Sequence, residues 1–301
     1  MSWPVLGSTL HPEDFLFTLN DGSTAVPTAA TLVPNWELNE RNVLVVFGEF
    51  GNRKAAGEPG RLFPTKVEIV DDGTPLMFVG PGGVVKSGVG LTWETEKSGY
   101  DAGPVLVGAK LNRVGEAAKG EGGSSVLEEI MLPNDEFAHY PEARGGDFRL
   151  RMLTTGGFSP DGVRAVLPTD YETFFRLHAA GVDGEDVVLT KVGKDYTVKG
   201  GTLKILGLSE TGPPEGGDVH YDDCYIEDRD NYIDIILVGD EDAARSLRSL
   251  EIPATGEYKP FYNPGGPGKE PFEGVRYTEP GPPHVQPIIH ALDDPMRVSY
   301  P

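Results

Sequence analysis

Cysteine is nearly absent: the 301 residues contain one, Cys224. No disulfide can form within the chain, and no multi-cysteine zinc site can be built. Stability must come from a packed core, which a chain of this length can bury without covalent staples. Long apolar runs are missing too. The best ones, 43–47 and 233–238, fall far short of the ~18 residues that a membrane-spanning helix needs. Membrane insertion is therefore not expected. The opening stretch, MSWPVLGSTLHPEDF, has neither the basic nor the apolar segment of a signal peptide. The expectation is a cytoplasmic chain or the mature form of an exported one. Bases are scarce beside acids, 26 against 47, for a net charge of −21. Such a surface repels phosphate backbones and anionic lipids, so no nucleic-acid partner is expected. It attracts cations, although solubility alone also accounts for it.

The familiar catalytic signatures are missing as well. There is no G-x-S-x-G, no H-E-x-x-H and no Walker A sequence. Gly80-Pro81-Gly82-Gly83 lacks the third glycine of a dinucleotide fingerprint, and Gly265-Gly266-Pro267-Gly268-Lys269 runs into Glu270 where a phosphate loop needs Ser or Thr. Both read as turns.

What the chain does have is backbone punctuation. Glycine (40) and proline (26) make up about a fifth of it, spread along the length without a repeat. Frequent turns between short apolar stretches are the mark of a β protein. Stretches 14–19, 42–47, 65–70, 76–79, 89–94 and 105–111 read as strands. Asn20-Asp21-Gly22 and Asp71-Asp72-Gly73 are placed as reversals. In 65–70, Lys66 and Glu68 alternate with Val67 and Ile69, the period of a half-buried strand. Six or seven strands in this space form the pattern of an antiparallel, immunoglobulin-like sandwich, here without the Cys…Trp…Cys signature of antibody domains.

Residues 115–125, GEAAKGEGGSS, carry almost no bulky apolar side chain and read as a linker. The domain expectation follows: a β-sandwich over 1–114, linker or long loops over 115–146, and a second β-rich domain over 147–252. A Pro/Gly-rich tail over 253–301 is expected to lie extended on the body, anchored by its aromatic residues. The second domain reads as strands at 147–153, 187–192, 196–198, 202–208 and 233–238, the last being apolar enough for a central strand. Two short helices are expected. One follows Pro168, where Thr169 and Glu172 have capping-box spacing, and would carry His178. The other covers 241–250, with Ala243, Leu247 and Leu250 on one face. The fold expectation is mainly β: two immunoglobulin-like or antiparallel sandwich domains, with both short helices in the second.

The densest candidate for chemistry is 218–234, DVHYDDCYIEDRDNYID. Seven acids crowd here (Asp218, Asp222, Asp223, Glu227, Asp228, Asp230 and Asp234), together with His220 and Cys224. Such carboxylates repel one another unless solvated or neutralised by a cation. Oxygen-rich sites suit Ca²⁺ or Mg²⁺, and a histidine admits Mn²⁺ or Zn²⁺. The metal expectation names Asp218, His220, Asp222, Asp223, Asp228 and Asp230, with Ca²⁺ or another divalent cation as cofactor. The competing reading is a solvated acidic loop leading into the 233–238 strand. Cys224 beside His220 could pair as thiol and base, but the surrounding acids disfavour the thiolate. The histidines (His11, His139, His178, His220, His284, His290) are scattered, with no pair at the i,i+4 spacing of a helical metal site. Folding the tail back would bring His284 and His290 to the 218–223 segment. Among the aromatics, Trp36 in a polar stretch is the candidate for stacking on a sugar ring, while Trp93 on a strand reads as core.

Three functional readings compete. The first is a non-catalytic binding or structural protein, stabilised by a divalent cation. The second is a metal-dependent, hydrolase-type enzyme using the 218–230 acids. The third is a subunit of a larger assembly that meets its partners through the tail. A small molecule, a carbohydrate or a protein is the partner each admits; the sequence leaves the oligomeric state and the catalytic residues open.

Overall fold

The computed structural model describes residues 1–32, 42–52, 54, 57–98, 106–114, 145–154, 170–209, 232–254 and 281–293. These form a mainly β structure with several antiparallel sheets, divided into two compact units. Among the described residues, no helix is long and apolar enough to cross a membrane.

The first unit holds β1 (Phe15–Leu19), β2 (Thr24–Ala25), β3 (Ala29–Thr31), β4 (Val45–Phe47), β5 (Pro64–Ile69), β6 (Met77–Val79), β7 (Val85–Ser87) and β8 (Thr92–Glu94). A four-stranded sheet runs β2-β1-β5-β8, and β3-β4 and β6-β7 pair separately. The period-two pattern sets the faces. Phe15 stands opposite Ile69 and Phe17 opposite Val67. Phe15 and Ile69 bury with Val5, Leu76 and Phe78 in this unit's core. On the other face Lys66 and Glu68 form an ion pair at 2.7 Å. The β1–β2 reversal closes as its residues dictate: Gly22 takes φ 84°, and the Asp21 carboxylate accepts the Ser23 N–H at 2.9 Å. At Asp71-Asp72-Gly73 the chain turns but makes no hairpin, because β5 pairs with β1 and β8 while β6 pairs with β7.

The second unit holds β9 (Leu106–Arg113), β10 (Phe148–Thr154), α1 (Tyr171–Phe174), β11 (Arg176–Ala180), β12 (Asp186–Leu189), β13 (Asp195–Val198), β14 (Gly201–Ser209), β15 (Tyr232–Gly239), α2 (Glu241–Ala244), β16 (Leu247–Ile252) and β17 (His284–His290). Its nine strands form one sheet, β12-β11-β16-β17-β9-β10-β15-β14-β13. Every pairing is antiparallel except β17 with β9. Leu111, Leu150, Met152, Ile233, Ile235, Leu237, Leu203 and Ile205 are fully or almost fully buried on one side of the central strands. The apolar 233–238 run is interior, as expected of a run with little polar alternation. It ends at Gly239, whose φ of 144° and close approach to the Thr202 carbonyl leave no room for a Cβ.

Four placements differ from the sequence expectation. β9, grouped by sequence with the first domain, belongs to the second unit and pairs with β10 across the glycine-rich 115–125 stretch. The helix expected over 241–250 stops at Ala244, and Leu247–Ile252 is strand β16. The spacing of Leu247 and Leu250 fits a helix, but Leu250 and Ile252 alternate, and β11 and β17 offer ladders on both sides. His178 likewise lies on a strand, because α1 is a single turn and Leu177 and Ala179 then bury alternately. Within the supposed tail, 284–290 is strand β17, inserted between β16 and β9.

The position of β17 generates a prediction. Ile288 is buried in the second unit's core, so Ile288→Ala should cost about 2–5 kcal/mol in denaturant unfolding. Truncation after Pro253 should abolish that unit's cooperative transition in the same measurement.

Candidate functional site

Asp218, His220, Asp222, Asp223, Asp228, Asp230, Cys224 and Trp36 all lie outside the described residues. Among the described residues, no group of three or more His, Cys, Asp or Glu side chains is placed to hold a metal ion. One of the seven crowded acids is described. Asp234 sits on β15, fully buried, and two arginines on β10 take its charge. Arg151 donates to both carboxylate oxygens, through Nε and Nη2, each at 2.8 Å. Arg149 Nη1 reaches Oδ2 at 3.3 Å.

Strand alternation builds this cluster. Phe148, Leu150 and Met152 face the apolar core, so Arg149 and Arg151 must face the other side. The register then sets their neighbours. Arg151 stands between Lys110 on β9 and Asp234 on β15, and Arg149 stands between Asn112 and Ile236. Lys110, Asn112, Arg149, Arg151 and Asp234 are all buried. Lys110, both arginines and Asp234 also make further contacts, so none of the four is left without a partner. Among the described residues, no group donates a hydrogen bond to the buried Asn112 Oδ1. A carboxylate held by a two-pronged guanidinium is fixed in orientation and deeply stabilised as the anion. It is thus a poor proton donor or acceptor and a good structural tie. In the sequence, Arg149 and Arg151 form the polar half of the alternating 147–153 strand. The missed signal was pairing: two arginines two residues apart, and one aspartate inside an otherwise apolar strand.

Other ionisable groups of the second unit also join elements. Glu172 on α1 accepts from Lys191 Nζ at 2.6 Å and from the Val192 N–H at 3.1 Å, and the lysine above all holds its carboxyl below the usual glutamate range. Glu241 on α2 pairs with Arg113 at the end of β9 and with Arg245 at 2.7 Å, and these two guanidiniums lower its carboxyl likewise. His178 bridges Asp186 and Glu251. The Tyr171 hydroxyl donates to the Leu189 carbonyl at 2.6 Å, and burial pushes its ionisation far up. Burial acts upward on Tyr196 too. The Thr190 and Lys191 N–H groups donating to its oxygen, with Lys194 nearby, nevertheless bring it below the usual tyrosine value. In the first unit, burial raises Asp14, which accepts the His11 N–H at 2.6 Å.

The aromatic expectation changes at Trp93. It lies on edge strand β8 and is 61% exposed, with Leu91 beside it exposed as well. It continues the Phe17–Val67 row of the apolar sheet face, but no described strand lies beyond β8 to cover it. The alternation that suggested core cannot show where a sheet ends.

Two predictions follow from these contacts. Asp234→Asn removes the buried anion that Arg149 and Arg151 both bind and should destabilise the protein by about 3–5 kcal/mol in denaturant unfolding. The second concerns acid. Glu172 and Glu241 have lowered folded-state pKa values, so their contribution is present above the unfolded glutamate value and is lost as pH falls through the folded one. Replacing both with Gln should lower the melting temperature near neutral pH. It should also flatten the fall in melting temperature between about pH 6 and about pH 3, as followed by circular dichroism.

Set against protein-family models, curated proteins and solved structures, the chain matches none of them, so its functional reading rests on the residues described above.

Proposed function

We propose that this chain is a non-catalytic binding or structural β protein. The observation that supports the reading is the Asp234 cluster, in which both carboxylate oxygens are taken up by Arg149 and Arg151 to tie β10 to β15. General acid–base or nucleophilic work needs a group with a pKa near the working pH and access to a substrate. A fully buried, doubly arginine-bound carboxylate has neither. Glu172, Glu241 and His178 also join one element to another, through contacts that are partly exposed.

Two finer expectations belong to this proposal. One is immunoglobulin-like sandwich packing of the antiparallel sheets. The other is stabilisation by a divalent cation, calcium first, through the carboxylates of Asp218, Asp222, Asp223, Asp228 and Asp230 with His220. The crowding of these acids in a chain of net charge −21 supports the cation. A hydrolase using the same acids is the enzymatic rival. In that case the ion would lower the pKa of a bound water.

Elemental analysis, with thermal melts in EDTA and in added calcium, is the test. A bound ion and a melting temperature lowered by EDTA are expected, without turnover of ester or phosphoester substrates. Metal-dependent turnover would replace the proposal with the hydrolase. An absent ion and unchanged melts would remove both the cation and that hydrolase. The assembly reading through the tail has no such support; the exposed Trp93 on β8, with Leu91 just before that strand, favours instead a contact made by the first unit. A strict monomer by light scattering at high concentration counts against self-assembly.

A further inference from the structure

His178 sits mid-way along β11, next to the β12 edge of the nine-stranded sheet. Its ring joins three strands. Nδ1 is 2.7 Å from Asp186 Oδ2 on β12, and Nε2 is 3.0 Å from Glu251 Oε2 on β16. Among the described residues, His178 is the only hydrogen-bond partner of either carboxylate.

The chemistry of the ring makes this bridge conditional. An ionised carboxylate only accepts hydrogen bonds, and imidazole offers two N–H donors only when protonated. Both contacts are therefore satisfied together by an imidazolium between two carboxylates. When the ring loses a proton, one nitrogen turns a lone pair toward a carboxylate oxygen at hydrogen-bond distance. That contact becomes repulsive, and the side chain is 19% exposed, which limits replacement by water.

The other charged groups on the packed elements do not substitute for the ring. Arg248 on β16 approaches Asp186 only to 3.8 Å, and its Nη2 donates to the Gly184 carbonyl at 3.0 Å. Arg176 on β11 stands opposite Glu251 in the ladder, but its guanidinium donates to the Glu172 and Phe175 carbonyls. On β17, the residue opposite Glu251 is the uncharged Val285.

We propose that His178 is a proton-dependent clasp that fastens β11 and β12 to β16, so that this edge of the second unit opens more readily as pH rises. The sign follows from the bonds. The clasp is complete where the ring is protonated and both carboxylates are ionised. It is incomplete when the ring is neutral, and incomplete too when either carboxylate is protonated.

Amide hydrogen exchange tests this, read as protection factors so that the intrinsic pH dependence cancels. Between about pH 5.5 and about pH 8, protection in β11 and β12 of the unmodified protein should fall about tenfold. In His178→Gln it should stay within about twofold over the same range. Glu251→Gln provides a second arm, because its carboxamide can donate to a neutral ring nitrogen, so the fall should shrink there as well. Ring nitrogen NMR of the unmodified protein should show both His178 nitrogens protonated at the acid end. A flat profile in the unmodified protein, the same fall in His178→Gln, or a neutral ring at the acid end would each overturn the clasp. If His178→Gln does not fold, Glu251→Gln and the ring spectrum decide, with an unshrunken fall or a neutral ring again overturning it.

Discussion

Two arginines and one aspartate buried in the middle of a sheet constrain everything around them. Removing such groups from water costs several kcal/mol per ion unless geometry and hydrogen bonds repay it. Here the repayment is the Arg151 fork on Asp234, reinforced by Arg149. Strand β10 can occupy the interior of the sheet because its polar side has this counter-charge. The same contact specifies register. A slip of one residue between β10 and β15 would turn every side chain of the moved strand to the opposite face, placing a guanidinium in the apolar core. With β10 and β15 fixed, β9 and β14 follow by their own ladders, and β17 closes against β9.

The cluster also bears on electrostatics. The chain is strongly acidic, yet the buried ionisable groups of its central strands β9, β10 and β15 are three cations and one anion. In the second unit, charge is used to bind strands and turns to one another, at Asp234, Glu172, Glu241 and His178. These ties differ in what they tolerate. Arginine stays charged at every accessible pH, so the cationic side of the Asp234 cluster does not depend on a proton, whereas the histidine bridge does.

Local pattern was most legible where one interaction range sufficed. The Asp21 and Gly22 reversal needs only neighbouring atoms and formed as its residues dictate. The alternation in 65–70 and the apolar run in 233–238 showed both strand state and degree of burial. Reading failed where two periods fit the same residues. Leu247, Leu250 and Ile252 satisfy a helical spacing and a strand spacing in turn, and neighbouring ladders chose the strand. It failed also at Trp93, where alternation identified the face but not the edge. Of the seven acids in the 218–234 segment only Asp234 is described, and Arg151, which binds it, lies 83 residues away in sequence.

The amino-acid sequence by itself determined the β character, the main turns, the exclusion of disulfides and the strong negative charge. Each of these follows from composition or from atoms within a few residues of one another. Only the tertiary structure decided that β9 belongs to the second unit, that 284–290 is an interior strand, and that Arg149 and Arg151 meet Asp234. Those outcomes depend on which distant strands share a ladder. Strand pairing joins residues through backbone groups that are the same in every residue, so the partner is chosen by how well whole faces pack and how buried charges are matched, neither of which is written in any local stretch.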